Sequence, residues 1–137
     1  MFETLNILVV DDSDLTRFAV GKIVRDMGVK KITFASNGSE AMQKLLGMHE
    51  KASHFDLILL DWNMPVSTGM EFLKKLKALK SKGSFSETKV IMVTAESTME
   101  QVLEALSNGA ADYVVKPVKF DTLKSKMTTL LTEKKAG

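Results

Sequence analysis

The stretch FDLILLDWNMP, Phe55 to Pro65, sets four aliphatic residues in a row, Leu57 to Leu60, ahead of a lone carboxylate, Asp61, and the chain's only tryptophan, Trp62. An unbroken aliphatic run of strand length fits a β-strand covered on both faces, as in a parallel sheet sandwiched between helices. Asp61 then stands at the carboxyl end of that strand, the edge where open α/β sheets bind ligands. A carboxylate directed towards an interior edge needs something of opposite charge to meet it.

Outward from this stretch, apolar runs of similar length recur near 5–10 (LNILVV), 31–35 (KITFA), 89–93 (KVIMV) and 112–115 (DYVV). The segments between them carry apolar residues at helical spacing. Leu15, Phe18, Ala19, Ile23 and Met27 are expected on one face. So are Ala41, Leu45 and Met48; Phe72, Leu73, Leu76 and Leu79; Val102, Leu103 and Leu106; and Phe120, Leu123, Met127, Leu130 and Leu131. Asp14 is the expected cap of the first helix and Gly28 its end. Asn37-Gly38 precedes the second, Gly69 opens the third, and Ser97 caps a fourth that closes at Asn108-Gly109. Five strands alternating with five helices predict a doubly wound α/β fold built on a parallel sheet. The reading is one domain over residues 1–137, with SKGSFSET (Ser81 to Thr88) and GMHEKASHFD (Gly47 to Asp56) as its roomier connections. His49 and His54 in the latter read as surface residues rather than ligands.

Composition narrows the function classes. The chain has 137 residues, 45% hydrophobic and 26% charged, the proportions of an ordinary globular domain. It has no cysteine, so disulfide and thiolate chemistry are excluded. MFETLNILVV lacks the basic start of a signal peptide, and no apolar run approaches the roughly 18–20 residues of a membrane span. Nineteen basic against 17 acidic residues, net +2, is too balanced to point to nucleic acid. The expectation is a cytoplasmic monomer that engages neither nucleic acid nor membrane.

The strand ends carry the chemistry. The first ends in Asp11-Asp12, the third in Asp61, the fourth in Thr94 and the fifth in Lys116-Pro117. Carboxylates gathered at one edge repel unless a cation joins them. A hard divalent ion such as Mg²⁺ suits an all-oxygen site and commonly bridges to phosphate. Lys116 adds a fixed positive charge and Thr94 a hydroxyl donor, which together suit a phosphoryl group. The sequence holds no P-loop pattern, so the phosphate arrives attached to another molecule or ends on one of the acids.

VVDDS, LLDWNMP, VTAE and YVVKP, taken together, resemble the receiver domain of two-component response regulators, most nearly the stand-alone chemotaxis (CheY-like) receivers, over nearly the whole chain. The resemblance implies a flavodoxin-like strand order 2-1-3-4-5. It implies that Asp61 is the phosphoacceptor for a phosphohistidine on a sensor histidine kinase. Asp12 would ligate Mg²⁺ directly and Asp11 through water, with Asp61 and the backbone carbonyl of Asn63 completing the protein ligands. Lys116 and Thr94 would each contact a phosphoryl oxygen, Thr94 after moving inward, and the Lys116–Pro117 peptide would be cis. Tyr113 would turn into the space that Thr94 vacates. Tyr113, Val102, Lys119 and Lys126 would form the face read by a downstream protein, for which the family suggests a flagellar motor switch. Asn63 and Glu96 would tune attack by water on the acyl phosphate, giving a short-lived state open to a phosphatase partner. Trp62 would cover the pocket rim.

Three rival readings stand beside this one. A phosphorelay intermediate would pass its phosphoryl group to a histidine phosphotransferase. A Mg²⁺-dependent aspartyl phosphohydrolase usually has a second acid two residues after its nucleophile, where this chain has Asn63. A flavodoxin-like cofactor binder would not place the anionic DDSD in its phosphate loop.

Overall fold

Strands β1 (Asn6–Val10), β2 (Lys31–Ala35), β3 (Leu57–Asp61), β4 (Lys89–Thr94) and β5 (Asp112–Val115) pair in parallel in the order β2-β1-β3-β4-β5. This is seen in the computed structural model, which describes residues 2–62, 64, 68–95 and 98–136, with side chains as far as Leu131. Helices α1 (Asp14–Asp26), α2 (Gly38–Glu50), α3 (Gly69–Ser81), α4 (Met99–Ser107) and α5 (Phe120–Ala136) alternate with the strands. The doubly wound expectation holds in element order, strand order and direction.

Successive strand residues point to opposite faces, so each strand feeds two cores. Leu8, Val10, Ile58, Leu60, Val90 and Met92 pack with Ala41, Leu45, Phe72, Leu73, Leu76 and Ala105 from α2, α3 and α4. Ile7, Val9, Leu57, Leu59, Ile91, Val93 and Val114 pack with Val20, Val24, Leu123, Met127 and Leu131 from α1 and α5. Each such aliphatic side chain contributes about 1.5–3 kcal/mol relative to exposure, so burial on both faces explains why β3 and β4 have no polar alternation.

Two expected helix faces are corrected. On α1, Leu15 and Phe18 are 79% and 68% exposed, while Val20, Gly21 and Val24 are the buried residues. This helix carries apolar residues on more than one face, and the sheet covers the other one. On α4, Leu103 and Leu106 are exposed and Ala105 is buried. The short α4 meets the sheet through its smallest side chain. On α2, α3 and α5 the expected faces pack on the sheet, with Met48 and Leu130 partly buried, except that Leu79 and Phe120 are half-buried and belong to neither core. Caps also shift by one residue. Ser13, not Asp14, caps α1 by accepting from Thr16 N, which leaves Asp14 in the first turn where its charge favours the helix dipole. The expected cap Ser97 lies outside the described residues; Thr98 caps α4 and accepts from Gln101 N.

The two roomier connections meet. The His49 and Phe85 rings lie 5.0 Å apart. His54 Nε2 lies 3.2 Å from both Asp56 Oδ1 and Glu87 Oε2. Beneath them Thr88, fully buried, donates its hydroxyl to the Phe55 carbonyl at 2.7 Å. Thr88→Val keeps the shape but strands that carbonyl. It is expected to lower stability by about 1–3 kcal/mol, read as a lower urea midpoint with unchanged m-value.

Candidate functional site

Strand parity sorts the polar groups at the carboxyl edge. Backbone bonds from Asp11 N to Ala35 O, Trp62 N to Val93 O and Lys116 N to Thr94 O prolong the ladder beyond the strands. Asp11, Asp61 and Lys116 therefore continue the rows of Val9, Leu59 and Val114, on the α1/α5 side. Trp62, Thr94 and Tyr113 fall on the α4 side, where Trp62 and Tyr113 pack against the first core. The charged groups and the aromatic groups thus occupy opposite faces of one edge.

On the charged side, carboxylate oxygens of Asp11, Asp12 and Asp61 all lie within 4.8 Å of one another. Asp11 and Asp61 are buried, each 3% exposed, and Asp12 is exposed. Lys116 Nζ reaches Asp11 Oδ2 at 3.0 Å and Asp61 Oδ1 at 3.3 Å. The Lys116–Pro117 peptide is cis, as the resemblance implies. Burial pulls the Lys116 ammonium down, but the hydrogen bond to Asp11 and the charge of Asp61 outweigh it and hold its pKa above the usual lysine value. Among the described residues, one ammonium against three carboxylates leaves a negative excess. A hard divalent cation would neutralise that excess, so the donor set fits Mg²⁺.

The loop that delivers these acids is braced from below. Asp11 Oδ1 accepts from Ser13 N at 2.9 Å, and Arg17 Nη1 donates to the Asp11 carbonyl at 2.5 Å. Arg17 also pairs with Asp14. Sequence reading passed over Ser13 and Arg17; a serine just ahead of the first helical segment was the available signal for the cap, and nothing local marked the arginine. It also treated Gly69 only as a helix start. A Cβ there would stand 2.2 Å from the Asp61 carbonyl oxygen, while Gly69 N donates to Trp62 O. The glycine lets α3 begin directly against the residue that carries the central acid.

On the aromatic side, Thr94 is 6% exposed and shares a cavity of about 10 Å³ with Trp62, Met92, Gln101, Val102, Ala105 and Tyr113. Tyr113, Lys119 and Lys126 line a separate cleft of about 390 Å³ along β5 and α5. Three of the four expected readout residues therefore share one surface, and Val102 lies on the far side of Tyr113. Lys126 does more than solvate its helix: Nζ bonds Asp112 Oδ1 at 2.8 Å and sits 5.0 Å above the Tyr113 ring. Lys119 is exposed. Asn63 and Glu96, expected to tune hydrolysis, lie outside the described residues, as does the Asn63 carbonyl expected at the metal. No helix among the described residues is long and apolar enough to cross a membrane.

Comparison with known proteins agrees with this fold. Residues 7–128 match the response regulator receiver domain. The chain is 35% identical to chemotaxis protein CheY-3 of Vibrio cholerae over 125 residues, covering 91% of this chain and 90% of that protein. It is 34% identical to chemotaxis protein CheY of Pseudomonas aeruginosa, covering 90% and 93%. Among solved structures it resembles V. cholerae CheY4, with a TM-score of 0.76, 32% identity and coverage of 92% and 98%. It also resembles the CheX–CheY–BeF₃–Mg²⁺ complex from Borrelia burgdorferi, with a TM-score of 0.82, 26% identity and coverage of 93% and 89%.

Proposed function

We propose, starting from the fact that this chain belongs to the response regulator receiver domain family, that residues 1–137 act as a single-domain chemotaxis response regulator whose phosphoacceptor is Asp61. The observation that carries this reading is the Lys116 ammonium bridging two buried carboxylates, Asp11 and Asp61, beside a third, Asp12. A salt bridge built only for stability has no use for the surplus acids. A site that must take up a cation and a phosphoryl group does.

In this reading an Asp61 carboxylate oxygen attacks the phosphorus of a phosphohistidine on a sensor histidine kinase. The P–N bond breaks, the imidazole leaves with the electron pair and takes a proton, and an acyl phosphate forms on Asp61. Asp11, Asp12 and Asp61, with the Asn63 carbonyl, would hold Mg²⁺, which when bound supplies positive charge to the phosphoryl oxygens. Both oxygens of Asp11 are already engaged by Ser13 N and Lys116. This supports direct ligation by the exposed Asp12 and an indirect role for Asp11. Lys116 is close enough to transfer its contact from the Asp61 carboxylate to a phosphoryl oxygen. The Thr94 hydroxyl meets another phosphoryl oxygen, and Tyr113 follows into the space it leaves. The Asp61 phosphoryl group carries roughly two negative charges in place of one, and this biases two conformations already in equilibrium. The face around Tyr113, Val102, Lys119 and Lys126 then changes its affinity for a downstream protein, a flagellar motor switch being the partner that fits a chemotaxis role. Asn63 and Glu96 would set how fast water resets the site, with or without a phosphatase. A cytoplasmic monomer belongs to the same reading.

The test uses Trp62, adjacent to Asp61 and the only tryptophan. Titration with Mg²⁺ and then beryllofluoride is expected to give two saturable fluorescence changes, the second absent in Asp61→Asn. Calorimetry repeats the titration without the optical probe. No binding by either method, or multiple turnover of a small phosphate ester in favour of the phosphohydrolase alternative, would overturn the proposal.

A further inference from the structure

We propose that Gln101 is a positioning residue of the switch: its side-chain carbonyl, Oε1, accepts a hydrogen bond from the Tyr113 hydroxyl in the phosphorylated state. The inference rests on the receiver reading above and adds the inward-facing acceptor for Tyr113.

Gln101 Oε1 is buried and has no hydrogen-bond partner among the described residues. The local sequence offers it one. Thr98-x-x-Gln101 is a capping-box pattern, in which the first side chain accepts from the backbone N–H three residues on and the glutamine reaches back to the cap's own N–H. Only the first half forms: Gln101 N donates to Thr98 Oγ1 at 3.2 Å. The reciprocal bond is not made, and the side chain instead lines the cavity it shares with Thr94, Tyr113 and Trp62. A polar side chain that leaves a local partner to sit unsatisfied in an apolar cavity is a cost in this conformation.

The donor is next to it. Tyr113 lies across from Met92 in the β4–β5 register and packs on the same core face as that cavity. Its hydroxyl makes no hydrogen bond among the described residues, and its ring is held from the α5 side by Lys126, itself tied to Asp112. The cavity, about 10 Å³, is close to the smallest that admits a single water, so it does not accept a phenol while Thr94 stays in place. Movement of Thr94 towards a phosphoryl group on Asp61 enlarges it from the sheet side. Tyr113 then gives the orphaned oxygen its donor. Because coupling is reciprocal, the same bond strengthens phosphoryl-mimic binding at Asp61, which lies across the sheet edge from it.

A double-mutant cycle tests this. Beryllofluoride affinity in saturating Mg²⁺ is measured by calorimetry for the wild type, Gln101→Met, Tyr113→Phe and the double variant. Gln101→Met is expected to weaken affinity by about three- to tenfold when Tyr113 is present and to change it little in the Tyr113→Phe background. Equal effects in both backgrounds, or no effect in either, would overturn the proposal. If Gln101→Met shifts the urea midpoint, Gln101→Leu supplies a second acceptor-free cycle. Failure of the wild type to bind the mimic would defeat the receiver reading itself and this inference with it. An additive cycle with normal wild-type binding defeats only the inference.

Discussion

Asp61→Asn is expected to abolish covalent phosphorylation and to weaken beryllofluoride binding at least about a hundredfold, while making the metal-free protein more stable. The loss follows from the chemistry: an amide is no nucleophile towards phosphorus, and one of the three charges that recruit the cation is gone. The gain in stability follows from the electrostatics. Asp61 is buried and lies within 4.8 Å of two other carboxylates, with one ammonium 3.3 Å away. At an effective dielectric constant of about 20, each repulsion amounts to roughly 3 kcal/mol and the attraction to Lys116 to roughly 5 kcal/mol, so the two repulsions together exceed that attraction. Relief of desolvation adds to the difference. Asparagine keeps an oxygen for Lys116. A rise of about 1–2 kcal/mol in urea unfolding without Mg²⁺ is expected, as for other sites where function is set against stability. The gain should vanish at saturating Mg²⁺, because only the wild type is then stabilised fully by the ion. A loss of stability in metal-free Asp61→Asn would show that Lys116 already holds the cluster at a net benefit, contrary to this account.

Gly69→Ala is expected to destabilise the protein by about 3 kcal/mol and to weaken Mg²⁺ and beryllofluoride binding together. The added Cβ would lie 2.2 Å from the Asp61 carbonyl oxygen and 3.1 Å from Trp62 Cα. Both are backbone atoms, so no side-chain rotation relieves the clash. Either α3 withdraws from the sheet, or β3 shifts and takes Asp61 with it; overpacking of this kind costs about 1–3 kcal/mol, occasionally more. The Gly69 N–H bond to Trp62 O would also lengthen or break. Gly47 is the internal control. It sits within α2, and a Cβ there meets nothing within 4 Å. Gly47→Ala is expected to stabilise by about 0.5–1 kcal/mol through helix propensity, leaving both titrations unchanged. The contrast separates close approach from glycine content as the cause. If Gly69→Ala left the unfolding midpoint and the metal affinity untouched, α3 would not be locking the Asp61 backbone.

The fold was legible because its signal is local and repeated. LILL before Asp61 and VIMVT before the next loop are too apolar for a half-exposed strand, and helical spacing separates each run from the next. Asn37 and Gly28 marked helix boundaries correctly, since caps are chosen by the backbone groups beside them. The gathering of Asp11, Asp12, Asp61 and Lys116 followed from strand direction alone: parallel strands bring their carboxyl ends to one edge. Asn63 and Glu96 fall outside the described residues, so their expected roles rest on the resemblance, whereas the cap of α4, expected at Ser97, is Thr98.

By itself, then, the sequence determined the alternation of elements, the edge where the acids meet and the residue types collected there. Only the tertiary structure decided which faces were covered and how the edge was divided. Periodicity marks every apolar stripe on α1 but not the one the sheet has room for, so Val20 and Val24 are buried and Leu15 and Phe18 are not. The pairing register, which no single strand encodes, sends Asp61 and Lys116 to one side and Thr94 and Tyr113 to the other. Lys126 over Tyr113, α3 against the Asp61 carbonyl and Gln101 facing its cavity depend on contacts between residues far apart in the chain. Packing in three dimensions selects among many locally equivalent side chains, and that selection is made only when the elements meet.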